Sequence, residues 1–412
     1  MAKKPVKNSR KHSARNKKTQ KSFLERIPKP YLYGGIGGVA VLVIALIVLA
    51  VFLFAPEKPA DDPYHFSGNM LAVKENGKWG YVDNTGTMAV PLIYDEAKPF
   101  GDNGLAAVKK DGLWGFINTA GEEVVNFVYE DTLGYSRGFA PVQHNGRWGY
   151  INEGGMNVIP NIYEFAGAFS ENGLGLVKMN GLYGYLDTTG ALKIPTQFTS
   201  ASAFSDSGYA QVCQNGLYGF IDGQGSFAIQ PQYNATGSGF YHNLAAVKTE
   251  TGWGYVDSTG TVVVEPQYDF AGDFTADGIA RVQKNGKYCF INTTGNYITE
   301  SQFPYVSDFS GGFALVTQDG KQGLLKTDGT FAIAPGEKLL MQPVVEGLLP
   351  FQTPDGLFGY ADTAGQTVVS SQYTAAKPFR NDGYAAVQKD GKWGLIDKTG
   401  TVILELKYDE IR

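Results

Sequence analysis

Two cysteines and four histidines are all that 412 residues hold of the side chains that most often cross-link a chain or bind transition metals. Cys213 and Cys289 fall at different positions of different sequence units. Residues two units apart in an array would exceed the ~7 Å Cα limit for a disulfide, so two free thiols are expected. His12, His65, His144 and His242 show no ligand spacing, and neither a metal nor a cofactor is expected. Charged residues are also sparse, at 18%. No pair of carboxylates, nucleophile beside a base, or phosphate loop recurs along the chain. The run Gly34-Gly35-Ile36-Gly37-Gly38 opens an apolar segment instead of following a strand, which excludes a nucleotide loop. These absences argue against an enzyme; a cell-wall hydrolase, which would need an acid and base pair, is a remote alternative.

The few tryptophans carry the most information. Trp79, Trp114, Trp148, Trp253 and Trp393 are all five of them, and glycine follows each. Aligned on that glycine, ten copies appear, with Gly80, Gly115, Gly149, Gly184, Gly219, Gly254, Cys289, Gly323, Gly359 and Gly394 in register at a period of about 35 residues. Tyr183, Tyr218, Tyr288 or Phe358 stands in for tryptophan, and Gln322 alone breaks the aromatic rule. A period of this size marks a solenoid, propeller or stacked array, in which each unit needs neighbours to bury its apolar face.

Formal charge is −5, yet residues 1–30 hold eleven Lys or Arg against Glu25 alone. The remaining chain is therefore acidic, and nucleic acid is not an expected partner of the repeats. Tyr31–Phe54 is an uncharged run; at about 1.5 Å per residue it reaches roughly 36 Å, enough to cross a ~30 Å hydrocarbon core. It is longer than a cleaved signal peptide's apolar region and ends in Phe52-Leu53-Phe54, which favours an uncleaved signal-anchor. The predicted organisation is a basic, disordered cytoplasmic tail over 1–30, near anionic lipid; a transmembrane helix over 31–55; a Pro/Asp-rich linker over 56–68; and a β array over 69–412. Localisation is thus expected to be the cell membrane, single-pass, with the array extracytoplasmic. Gly34 and Gly38 form a small-xxx-small pair that offers only weak support for dimerisation through the span.

Within a unit, Leu105–Lys110 and Leu113–Asn118 flank Asp111-Gly112, and Asn-Gly or Asp-Gly recurs at this point in nearly every unit, the strongest short-range hairpin signal. A third strand follows a turn opened by Asp or Asn, as at Asp83, Asn118 and Asp187. These side chains suit a turn that accepts backbone N–H groups better than a calcium loop, which needs several carboxylates together. Alanine and phenylalanine then recur three apart, as at Ala97 and Phe100, and the spacing predicts a tight helical turn. Trp79 and Tyr81 point to one face of the second hairpin strand, Gly80 and Val82 to the other. The glycine is expected to admit an adjacent unit's aromatic ring. The aromatics could stack sugar rings, but their Val, Ile and Gly flanks favour core.

The phrase from Gly112 to Gly121, Gly-Leu-Trp-Gly-Phe-Ile-Asn-Thr-Ala-Gly, resembles the WG-repeat (KWG repeat) family, as do Gly77–Asp83 and Gly391–Asp397, and the likeness runs from about residue 69 to 412. It implies bacterial all-β repeats, often surface-associated, that bind without catalytic residues. The fold is expected to be all-β, ten units of about three antiparallel strands in an open superhelical or propeller-like array. Ten exceeds the four to eight blades typical of closed propellers, which favours the open spiral. Against this, if a unit's sheet joins the third strand to the hairpin that follows, Thr401–Tyr408 and the first hairpin, Leu71–Asp83, are each left without a partner, and their pairing would close a ring. The expected function is binding of a protein or cell-wall glycan by a membrane-anchored array; the alternative is a structural spacer or regulatory scaffold whose basic tail carries the activity. Binding residues are unassigned. The unit around Gln322, followed by a variable loop over Gly336–Gly347, is the first place to look.

Overall fold

The computed structural model describes residues 68–299 and 302–412, all within the unit Lys58–Arg412. The basic tail, the predicted span and all but the last residue of the linker lie outside the described residues. Among the described residues no helix is long and apolar enough to cross a membrane.

Ten antiparallel sheets follow one another along the chain, nine of four strands and one of three. Blade 2 is representative: a short inner strand Glu96–Phe100, then Leu105–Lys110, Leu113–Asn118 and an outer strand Glu123–Tyr129. The hairpin between its second and third strands turns at Asp111 and Gly112, with φ of 53° and 83°. Both values match the type I′ turn that Asp-Gly favours. Three strands per unit were expected, and the fourth comes from the connector. Ala97 pairs with Val108 and Phe100 with Ala106, so a bulge, not a helical turn, brings residues three apart onto one buried face. Likewise Gly336–Gly347 is not simply a variable loop: it contains the inner strand Leu339–Leu340 of blade 9.

Blade 1 shows how the array ends. Its strands Met70–Glu75, Lys78–Asp83 and Met88–Tyr94 are completed by Glu410–Ile411 from the opposite end of the chain. Val73 pairs with Ile411 and Lys74 with Glu410, and Ala72 and Arg412 exchange both backbone hydrogen bonds at 3.0 and 2.8 Å. Leu71, Val73 and Val82 of blade 1 pack with Leu395, Leu404 and Tyr408 of blade 10. The open superhelix is thus replaced by a closed ten-bladed β-propeller. The strand that closes it is the two-residue Glu410–Ile411, while Val402–Tyr408 remains the outer strand of blade 10. Closure removes the two exposed blade faces that an open array would leave.

The core lies between blades. Trp79, Tyr81, Val90 and Tyr94 of blade 1 pack against Ala97, Phe100, Ala106, Val108 and Ile117 of blade 2, and the arrangement recurs around the ring. With ten blades the wedge between neighbours is shallow, so inner side chains must be nearly as large as outer ones. Aromatic pairs meet this need: Tyr81–Phe100, Tyr150–Phe169, Tyr185–Phe204 and Tyr360–Phe379 have ring centroids 4.7 to 4.8 Å apart.

The glycine of the repeated phrase does not receive a neighbour's ring. Trp79 pairs with Tyr94, Tyr81 with Val90 and Val82 with Met88, so the outer strand bulges and its backbone passes directly over Gly80. A Cβ there would lie 2.5 Å from the carbonyl oxygen of Val90. Cys289 is the one residue that carries a Cβ at this position. Among the described residues its sheet has three strands, and Tyr288 and Ile291 keep isolated bridges to Phe303 and Tyr297 in place of a continuous outer strand.

Two outcomes follow from this packing. Gly115→Ala should cost ~1–3 kcal/mol in equilibrium unfolding, whereas Cys289→Ala, in a blade already adjusted to a side chain, should cost less than half as much; equal losses would refute the steric account. Truncation after Tyr408 removes the closing strand and the buried Ile411. It should destabilise the domain by at least ~3 kcal/mol and make blades 1 and 10 the first sites of limited proteolysis.

Candidate functional site

The aromatic of the repeated phrase is occupied by the fold itself. Trp79, Trp114 and Trp148 are buried; Phe165 lies against the Trp148 ring, and basic side chains cover others. Lys74 Nζ, from the neighbouring strand, lies 5.5 Å from the Trp79 ring centroid, and the Arg412 guanidinium 4.5 Å from it. Lys109 and Lys98 flank Trp114 at 5.7 and 5.2 Å, and Lys377 lies 5.5 Å from Trp393. Such cation–π contacts, together with the lysine stems, leave no open platform for a sugar ring at these positions. Gln322, expected as the first place to look, sits partly buried in the third strand of blade 8 opposite Thr317.

Two residues further on, a second set of aromatics ties blades together. The hydroxyls of Tyr81, Tyr150, Tyr185, Tyr255 and Tyr360 donate to the carbonyls of Lys98, Gly167, Ser202, Gly272 and Lys377, seventeen residues on and in the next blade, at 2.6 to 2.7 Å. Burial pushes all five hydroxyls up from the ordinary tyrosine value. They are structural donors and do not ionise in the neutral range.

The turn carboxylates act as expected. Asp83 Oδ1 accepts from the Thr85 hydroxyl at 2.6 Å and from the backbone N–H groups of Thr85 and Thr87 at 2.9 Å. Asp187, Asp257 and Asp397 repeat the arrangement, and Asn118, Asn152 and Asn292 build the same turn without charge. Where Lys326 replaces the usual residue, Asp328 accepts from Thr330. His144 contacts the Val128 carbonyl at 3.2 Å and His242 the Thr275 carbonyl at 2.9 Å, while His12 and His65 lie outside the described residues. Among the described residues no three His, Cys, Asp or Glu gather as metal ligands. Cys213 and Cys289 are free and buried.

One polar cluster escaped sequence reasoning. Near the inner strands of blades 6, 7 and 8, Ser238 donates through its backbone N–H and hydroxyl to Asp273 Oδ2 at 3.0 and 2.6 Å. Arg281 Nε lies 2.8 Å from Asp308 Oδ1, and its guanidinium stacks 5.3 Å from the Phe270 ring. Burial pushes the Asp308 carboxyl up, Arg281 opposes this, and Asp273 adds to it. The only visible signal was Gly237, where a Cβ would collide with Asp273. The cluster ties blades 6, 7 and 8 together through these contacts.

The surface differs between the two ends of the strands. At the end carrying the turns from inner to second strand, Asp102, Glu171, Asp206, Asp277 and Asp382 stand in the equivalent loops of blades 2, 4, 5, 7 and 10. At the other end, hairpin cations pair with the acid that leads into the next blade: Lys78–Asp95, Lys321–Glu337 and Lys392–Asp409, each at 2.6 Å. Each of these loops combines buried anchors, such as Phe204, Phe274 and Phe379, with exposed positions that differ between units, such as Asp102 and Glu171.

Hydrogen bonds from the threonine hydroxyls, first, and from turn N–H groups hold Asp83, Asp257 and Asp397 below the ordinary carboxylate value; Asp187 is lowered to about 2. Folded values below the unfolded value of ~4 mean that this stabilisation is complete above about pH 4 and disappears as pH falls toward 2. The quadruple change of Asp83, Asp187, Asp257 and Asp397 to Asn should leave Tm at pH 7 nearly unchanged and flatten its fall between pH 4 and 2. An unaltered acid profile would show that these turns do not govern it.

The model of the WG containing repeat matches ten segments, from 61–79 through 290–321 and again over 358–412, and leaves 322–357, where the phrase fails, unmatched. No curated protein matches the sequence significantly. Among solved structures, a eukaryotic initiation factor is 12% identical over 83% of this chain and 96% of its own, with TM-score 0.50. BamB from Moraxella catarrhalis is 14% identical over 65% and 93% at TM-score 0.33, and apo AztD from Citrobacter koseri 12% identical over 83% and 96% at 0.32. At such identities the first match speaks for the propeller fold alone. A repeat propeller with its recurrent chemistry absorbed into packing is suited to interaction, and the ten phased matches place the chain in the family of WG containing repeat proteins.

Proposed function

We propose that the chain is a membrane-anchored, extracytoplasmic, non-catalytic interaction module that presents its propeller to a protein or cell-wall glycan. The observation that carries this reading is the division of labour within each unit. Recurrent Trp, Tyr and Asp side chains are consumed by packing, inter-blade bonds and turns, while the tips of the loops between inner and second strands differ from blade to blade and expose residues such as Asp102, Glu171 and Asp206. Binding surfaces of repeat proteins lie at such variable positions of one face. The uncharged run Tyr31–Phe54 and the charge asymmetry around it support the anchor and its orientation.

The test uses the full chain in vesicles with the propeller outward, offered purified peptidoglycan and, separately, envelope proteins for crosslinking from residues at the loops. Saturable binding should fall at least tenfold in Asp102→Lys/Glu171→Lys/Asp206→Lys, with Tm preserved, and should survive removal of residues 1–30. Absence of both saturable glycan binding and loop-dependent crosslinks would sink the proposal. Binding lost only with the tail would favour the scaffold alternative.

A further inference from the structure

Ten copies of one unit serve as internal controls for any exposed side chain. In the outer strand, the residue before the closing aromatic is Gln197, Gln232, Gln267, Gln302, Gln372 or Lys407 in six units, all exposed. In blades 1, 2 and 3 it is Ile93, Val128 and Ile162, which are 45%, 42% and 51% exposed. The fold tolerates polar residues at this position, so packing does not explain three consecutive β-branched aliphatics at the rim. Exposed Met88, Val124 and Val158 lie on the same three outer strands, but Leu192, Val262, Val368 and Val402 are exposed at equivalent positions elsewhere, so Ile93, Val128 and Ile162 alone distinguish blades 1–3. Grouped exposed apolar side chains of this kind mark interaction surfaces.

We infer that the rim of blades 1–3 rests on the lipid surface, an inference that depends on the proposed membrane span. Chain connectivity selects this occupant. Blade 1 is the blade that the linker enters, at Gly68, and the uncharged run ends at Phe54. An extended linker of this length reaches at most ~45 Å, which keeps blade 1 near any bilayer that holds the run and raises the effective concentration of its rim there. Charges beside the patch are of both signs, with Lys78 paired to Asp95 and Arg147 4.0 Å from Glu164. Contact is therefore apolar and does not require anionic lipid; the side chains enter the boundary between headgroups and acyl chains.

The full chain is reconstituted in phosphatidylcholine vesicles and carries a fluorescent label at Lys110→Cys, in the hairpin of blade 2, or at Gln214→Cys, in that of blade 5; Cys213 and Cys289 are buried. Carbonate washing first reports whether the chain is integral. For a chain that stays in the bilayer, brominated lipid should quench the blade 2 label at least about threefold more than the blade 5 label. Ile93→Gln/Val128→Gln/Ile162→Gln should abolish the difference without changing Tm. Equal quenching of the two labels, quenching that persists in the triple variant, or protection arising from a dimer crosslinked through Val128→Cys overturns lipid contact while leaving the span intact. A chain released by carbonate overturns the span and the lipid contact together.

Discussion

No blade of this propeller can bury both its faces alone, and that constraint organises everything else. Each hydrophobic layer is shared between two neighbours, as Trp79 and Tyr81 share theirs with Ala97 and Phe100. Nine such layers can form between consecutive blades along an open chain, but the tenth exists only because Glu410–Ile411 crosses back to Met70–Glu75. Aromatic pairs, tyrosine hydroxyl bonds and the seam of Leu71 and Val73 against Leu404 and Tyr408 are all devices for making adjacent sheets adhere at a fixed, shallow angle.

The repeated Trp-Gly phrase takes its meaning from that geometry. Its tryptophan fills a layer between blades, covered by lysine or arginine at Trp79, Trp114, Trp253 and Trp393, and its glycine lets the outer strand of the same blade bulge across the third. One residue serves contact between sheets and the other contact within a sheet. Cys289 separates the two roles: the layer containing it remains packed, while among the described residues the outer segment is held by the isolated bridges Tyr288–Phe303 and Ile291–Tyr297. The residues that make the unit recognisable are therefore those least available to a ligand.

Local features were legible in the sequence because they rest on short-range chemistry. Asp111-Gly112 declares its hairpin through left-handed backbone angles, Asp83 its turn through acceptor geometry, and the alternation Trp79-Gly80-Tyr81-Val82 its two buried faces. What was not legible depends on residues far apart. A two-residue strand such as Glu410–Ile411 has no periodicity to read, and the Ala97–Phe100 spacing mimics a helical turn because a bulge also places residues three apart on one side. The cluster of Ser238, Asp273, Arg281 and Asp308 draws on three blades, and no spacing within one unit announces it. Ring closure could be raised as a possibility from unpaired ends, but only the pairing itself decided between a spiral and a circle.

Because the last strand of the chain completes the first sheet, the propeller has an order of events built into its topology. Blades 2 to 10 can each form from contiguous chain as it emerges, whereas blade 1 must wait with an unpaired edge until Arg412 has been made. Contacts of such large sequence separation are slow to find, and an unpaired edge held open meanwhile invites the wrong strand. The outcome of folding is thus decided at Glu410–Ile411: a chain interrupted a few residues before them would contain nearly every described residue of the propeller and still lack a circle.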